Sequence, residues 1–164
     1  MRIALLAVVA VLSACGPGVD PLVGTFNFTL TGKDKNSVPD TSESTPTGTG
    51  TISVTPNALQ TGYVITAAQT NASPCVLEGK AATEKKASPE LTISAGQQCV
   101  LTQGATTVTV TFTSGKLVLT QASTMEKDSA ALDVAYSYTG VTNLIFGTAT
   151  FAGAGARTYA GPRR

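Results

Sequence analysis

Residues 24–31 read Gly24-Thr-Phe-Asn-Phe-Thr-Leu-Thr31. Every second side chain, Phe26, Phe28 and Leu30, is large and apolar, and the residues between them are threonine or asparagine. Successive side chains of an extended chain point to opposite sides, so this stretch has one dry face and one wet face. A helix would scatter the same three residues around its circumference. The stretch is read as a half-buried strand. The pattern recurs downstream: Thr106–Phe112 puts Val108, Val110 and Phe112 on one side, and Leu132, Val134, Tyr136 and Tyr138 follow the same step of two.

Further strands are expected over 48–55, 63–69, 75–82, 90–101, 115–122 and 143–152, about nine in all with turn residues between them. Composition agrees. The chain holds 27 threonines among 164 residues, and β-branched side chains pack well on a pleated surface. The predicted fold is all-β, a single antiparallel up-and-down β-barrel of about eight or nine strands, with a β-sandwich as the alternative. Tight returns are expected at Ser114-Gly115 and over Tyr138–Asn143. Residues 32–47, GKDKNSVPDTSESTPT, show no alternation and hold two prolines, and are read as a long loop. Residues 160–164 are expected to fray.

The N-terminus follows another logic. Arg2 precedes an unbroken apolar run, Ile3–Leu12, and small residues follow. That is the layout of a secretory signal, and the run is too short for the ~20 residues a membrane-spanning helix needs. Leu12-Ser13-Ala14-Cys15 resembles the lipobox of bacterial lipoproteins. The resemblance implies cleavage before Cys15, acylation of that cysteine, and attachment to a cell membrane through the N-terminal lipid. Gly16 stands where an aspartate often marks inner-membrane retention, so in a cell with two membranes the outer one is favoured. The domain plan is a signal peptide at 1–14, a lipidated tether at 15–22 and a barrel at 23–159. The tether reaches at most ~25 Å, which keeps the body close to the membrane.

Cys75 and Cys99 remain, in an exported and oxidising setting, and a disulfide between them is expected. If 83–89 is a loop centred on Ala87, the hairpin around it pairs Cys75 with Cys99, Leu77 with Gln97, Gly79 with Ala95, Ala81 with Ile93 and Thr83 with Leu91. Directly opposed residues lie within disulfide range.

Val23-Gly24-Thr25-Phe26 at the head of the first strand resembles the Gly-x-Trp opening of lipocalin-type barrels, with Phe26 in the place of the tryptophan. In that family an arginine near the end of the last strand packs over the aromatic ring. The resemblance implies a barrel-closing pair of Phe26 and Arg157, a cation over a ring face.

Several chemistries find no support. There is no histidine, which removes the commonest general base and the commonest zinc ligand. No Gly-x-Ser-x-Gly elbow is present, Asp34, Asp40 and Glu43 lack calcium-loop spacing, and no helix or lysine follows Gly153-Ala-Gly155 to make a phosphate cradle. The chain is read as non-enzymatic, without a metal or other cofactor. The mature chain loses Arg2 from eleven basic residues and then matches its ten acidic ones. With no basic stripe, nucleic acid is not an expected partner.

Two roles are expected. In the first, the barrel encloses a small apolar ligand, lined by Phe26, Phe28, Leu30, Val108, Val110, Phe112, Leu132, Val134, Tyr136 and Tyr138. In the second, those residues are core, and a monomeric module meets an envelope protein or polysaccharide from outside. The volume of the interior separates the two.

Overall fold

The computed structural model describes residues 20–70, 72–82, 88–122 and 127–164; the signal segment, Cys15 and the loop around Ala87 lie outside them. Ten strands follow in order: β1 (Gly24–Val38), β2 (Ser42–Ser44), β3 (Gly48–Pro56), β4 (Tyr63–Gln69), β5 (Cys75–Ala81), β6 (Glu90–Ile93), β7 (Gln98–Gln103), β8 (Thr106–Thr120), β9 (Ser129–Leu144) and β10 (Gly147–Pro162). All pairings are antiparallel. Eight strands close a ring in the order β1-β3-β4-β5-β6-β8-β9-β10, with β10 pairing back onto β1. Closure leaves none of the eight ring strands as a free edge where all of them meet.

The ring is uneven. The adjacent strands β8, β9, β10 and β1 are 15 or 16 residues long, whereas β3 to β6 have four to nine. All eight meet at one end, near the N-terminus of β1. At the other end the four long strands stand above the rest as a tall curved wall. β2 and β7 lie on the two edges of that wall, against β1 and β8. Inside the ring sits an apolar core that includes Phe26, Leu30, Ile52, Ile65, Leu91, Leu117, Leu119 and Leu132, each at most 1% exposed. Burial of one such side chain contributes ~1.5–3 kcal/mol.

Three expected turns or loops and the expected loose tail are strand or bridge instead. The return at Ser114-Gly115 does not exist, because β8 runs through it. A bulge between Phe112 and Ser114 absorbs one residue, so the inward row Val108, Val110, Phe112 resumes at Gly115, Leu117 and Leu119. Gly115 is there for lack of room: a Cβ on it would stand 2.9 Å from Ile93 and 3.2 Å from Val134. The return over Tyr138–Asn143 is likewise the straight upper part of β9, where Gly140 lies under the Phe151 ring, and the expected 143–152 strand instead contains the β9–β10 turn at Ile145-Phe146. Residues 32–38, expected in a loop, prolong β1, and β2 returns beside them. Finally, β10 reaches Pro162 and Arg163 bridges to Phe26, so residues 160–163 do not fray.

The 90–101 strand divides in two. β6 ends at Ile93, the chain bends with Gly96 at φ +86°, and β7 leaves to pair with the other half of β8. The β5–β6 hairpin therefore pairs Gly79 with Ile93 and Ala81 with Leu91, two residues off the expected register. The disulfide itself is present, Cys75 to Cys99, with Cα atoms 5.3 Å apart. It joins β5 to β7 across a gap with no backbone ladder. Gln97 spans the gap as a surrogate partner, its amide accepting from Glu78 N–H (2.6 Å) and donating to Glu78 C=O (2.8 Å).

The closing arginine is also a different residue. Arg163 lies over the Phe26 ring at 5.0 Å, and its guanidinium donates to Val23 C=O (2.9 Å) and Pro21 C=O (2.7 Å). Gly24 leaves the space this needs, since a Cβ there would be 2.7 Å from Arg163 Nη1. Arg157 is higher in the ring and does other work.

Candidate functional site

The inward row of β1 does not end at Leu30. Continuing by twos it reaches Gly32, Asp34 and Asn36, all on the same side of the strand. On β9 the inward row Leu132, Val134 leads to Tyr136 and Tyr138. β10 separates β9 from β1, and the two tyrosines cross over it to reach β1. Tyr136 donates to Asp34 Oδ1 at 2.5 Å, and Tyr138 donates to Asn36 Oδ1. Glycines on β10 make the crossing feasible: a Cβ on Gly155 would collide with Asp34 and stand 2.9 Å from the Tyr136 hydroxyl, and a Cβ on Gly153 would strike the Tyr138 ring. Gly153-Ala-Gly155 is thus a saddle for two rings.

Arg157 completes this layer. It donates to Asp34 Oδ2 at 2.5 Å and its guanidinium lies 5.2 Å from the centre of the Tyr136 ring. Asp34 is only 7% exposed, so its charge is held by a cation and a hydroxyl donor. Burial is the largest influence on Arg157 and would lower its pKa. The hydrogen bond to Asp34 and the electrostatic attraction of Tyr136, Tyr159 and Asp34 together outweigh it and raise the value, which keeps the guanidinium charged. Tyr136 has its pKa raised by burial first and by the bond to Asp34 second. Tyr138 is raised as well, chiefly by burial. The layer is a neutral, hydrogen-bonded lid over the apolar core.

Above the lid is an open cleft of about 250 Å³, lined by Asp34, Asn36, Ser44, Leu101, Val108, Val110, Tyr136, Tyr138, Phe151 and Arg157. Below it the ring holds an apolar void of about 40 Å³, bounded by Val110, Phe112, Leu132, Val134 and Tyr136 among others. That void has room for little more than water. The ten residues expected to line a ligand chamber therefore divide. Phe26, Phe28, Leu30, Phe112, Leu132 and Val134 are packed core away from the cleft, whereas Val108, Val110, Tyr136 and Tyr138 reach it.

Sequence reading missed Asp34, Asn36, Ser44, Leu101, Phe151 and the part played by Arg157. A signal for two of them existed. Asp34 and Asn36 keep the phase of Phe26, Phe28 and Leu30, and a polar residue in an apolar phase has a partner to find. Chemically the cleft offers aromatic faces, amide and hydroxyl groups and an internally compensated ion pair. Among the described residues, no three histidine, cysteine, aspartate or glutamate side chains gather to hold a metal ion. Comparison with protein-family models, with curated proteins and with solved structures found no match to this chain.

Proposed function

We propose that this chain is a lipid-anchored, non-catalytic binding module of a bacterial cell envelope, attached through an acylated Cys15. Its barrel is a filled scaffold, and recognition takes place in the cleft above the Tyr136–Asp34–Arg157 layer. The observation that carries this reading is the contrast of volumes: about 40 Å³ of void inside the ring against about 250 Å³ in the cleft. Ligand chambers run ~300–1,000 Å³, so the interior is far too small for a lipid-like guest while the cleft takes one small ring. Tyr138 and Phe151 supply flat apolar faces, and Asn36 and Ser44 supply polar edges. The Asp34–Arg157 pair adds no net charge. Such a surface suits one neutral sugar ring of an envelope polysaccharide better than an ionic or wholly apolar ligand.

Native mass spectrometry of the protein purified from its own cells tests each part separately. The expected species is the chain from Cys15 with acyl groups and no stoichiometric apolar guest, and it gains adducts with short neutral glycans that Tyr138→Ala removes. A stoichiometric lipid in the interior overturns the filled-scaffold reading. An unmodified Cys15 overturns the anchor, and absence of glycan adducts overturns the cleft assignment.

A further inference from the structure

The β9–β10 turn carries three exposed large apolar residues, Leu144 at 58%, Ile145 at 93% and Phe146 at 99%, the last two the most exposed among the described residues. They are consecutive, and they form the tip of the tall wall. The hairpin behind them is uncharged over its whole upper length. Between Asp133 and Arg157 there is no charged residue, and between Glu90 and Lys116 there is none either. The second interval includes the β7–β8 turn, whose Ala105 carbonyl accepts from Asn143 N–H at 3.0 Å, so the two neutral turns stand side by side. The nearest charges stand beside the arm on the neighbouring β1 and β2, where Lys35 is level with Ala154 and opposite Glu43. Others lie lower, as with Lys116 on Glu90 and Arg163 on Asp128.

We propose that Leu144-Ile145-Phe146 is a membrane-inserting tip, with the acyl-chain boundary of a lipid bilayer as its occupant. The shape and chemistry favour lipid over a protein. A convex tip with three protruding apolar side chains offers no pocket, no charge and few polar pairing groups for a partner surface to match. It does match the interface of a bilayer, where apolar and aromatic side chains enter ~5–10 Å and the nearest cost is a buried charge, of which this arm has none. The tip is also at the opposite end of the body from the tether. β9 runs roughly 50 Å between the two ends at ~3.3 Å per residue. A tether of at most ~25 Å lets the barrel lie along the membrane, held at both ends. The proposal goes beyond the anchoring reading and does not require Cys15 to be acylated.

The chain contains no tryptophan, so Phe146→Trp places a single reporter at the tip. The test uses residues 15–164 carrying Cys15→Ser, which keep all ten strands, mixed with phosphatidylcholine vesicles. The reporter is expected to shift to shorter wavelength and to be quenched by lipids brominated near the top of their acyl chains. Co-flotation of the same chain without the reporter is expected to fall roughly tenfold on Ile145→Ser with Phe146→Ser, and to be insensitive to salt. Leu59→Ser, which removes an exposed leucine at the opposite end, is expected to leave it unchanged. An unshifted reporter, or equal loss with Leu59→Ser, overturns the proposal. So does a lipid-free dimer that the double substitution dissociates, because the tip is then a protein contact.

Discussion

The two ends of this ring are built differently although the same strands run through both. At the end nearest the N-terminus all eight strands meet, the interior is filled, and Arg163 closes it over Phe26 while holding Val23 and Pro21. At the other end only four strands continue, the inward row turns from phenylalanine and leucine to aspartate, asparagine and tyrosine, and an uncharged hairpin protrudes. One end is stabilised by burial of apolar area and the other by a hydrogen-bonded polar layer. The first arrangement resists change in every residue. The second leaves a cleft and an exposed tip.

Three measurements set these ends against each other. The largest effect is expected at the filled end, where Phe26→Ala removes a ring that is 1% exposed and deprives Arg163 of its platform. Urea denaturation is expected to register a loss of about 3–5 kcal/mol; a loss below ~1 kcal/mol would mean that this end is no more firmly packed than the other.

Next comes the clamp on the open side. Replacing Cys75 and Cys99 together by serine opens a loop with a sequence separation of 24 and is expected to cost about 3 kcal/mol. The loss should be local in character. Amide hydrogen exchange is expected to quicken most over Gln98–Gln103, which pairs with β8 on one side only, and least over β3, which has a neighbour on both sides. Uniform acceleration across both strands contradicts the distinction.

The smallest effect is alkaline. Tyr63, at the filled end, donates to Asp20 Oδ2 at 2.6 Å, and burial followed by that carboxylate pushes its pKa up to about 12. The unfolded chain releases the same proton near ~10, so between these values the folded state binds more protons and stability falls as pH rises; below ~10 nothing changes. Tyr136 and Tyr138 shift in the same direction. Stability followed from pH 8 to 12 in wild type and Tyr63→Phe is expected to show a shallower decline in the variant.

The filled end was legible in the sequence and the open end largely was not, for physical reasons. Alternation of apolar and polar residues reports which side of a strand is dry, and Phe26, Phe28, Leu30, Leu132 and Val134 all obey it. The signal stops where the inward residues become polar. Asp34 and Asn36 then look like loop residues, although each has a tyrosine waiting two strands along the ring, beyond β10, a distance no local pattern encodes. Glycine misled in the same way. Gly115 and Gly140 were read as turns, but each is inward in a strand, where a side chain from a neighbour occupies the space of its Cβ. The cysteine pairing was right and its setting wrong, because the bend at Gly96 moves Cys99 onto a different strand without moving it away from Cys75. Arg157 lies in β10 and Arg163 just past its end in the same phase, and which of them meets Phe26 depends on the stagger of the closed sheet.

The join between β1 and β10 dictates when folding can finish. Its partners, such as Leu30 with Tyr159, lie at opposite extremes of the chain, so no amount of early structure can seal the ring. β1 and β9 each keep a bare edge until β10 arrives. A product truncated before Gly147 is left with two sticky borders in place of a seam.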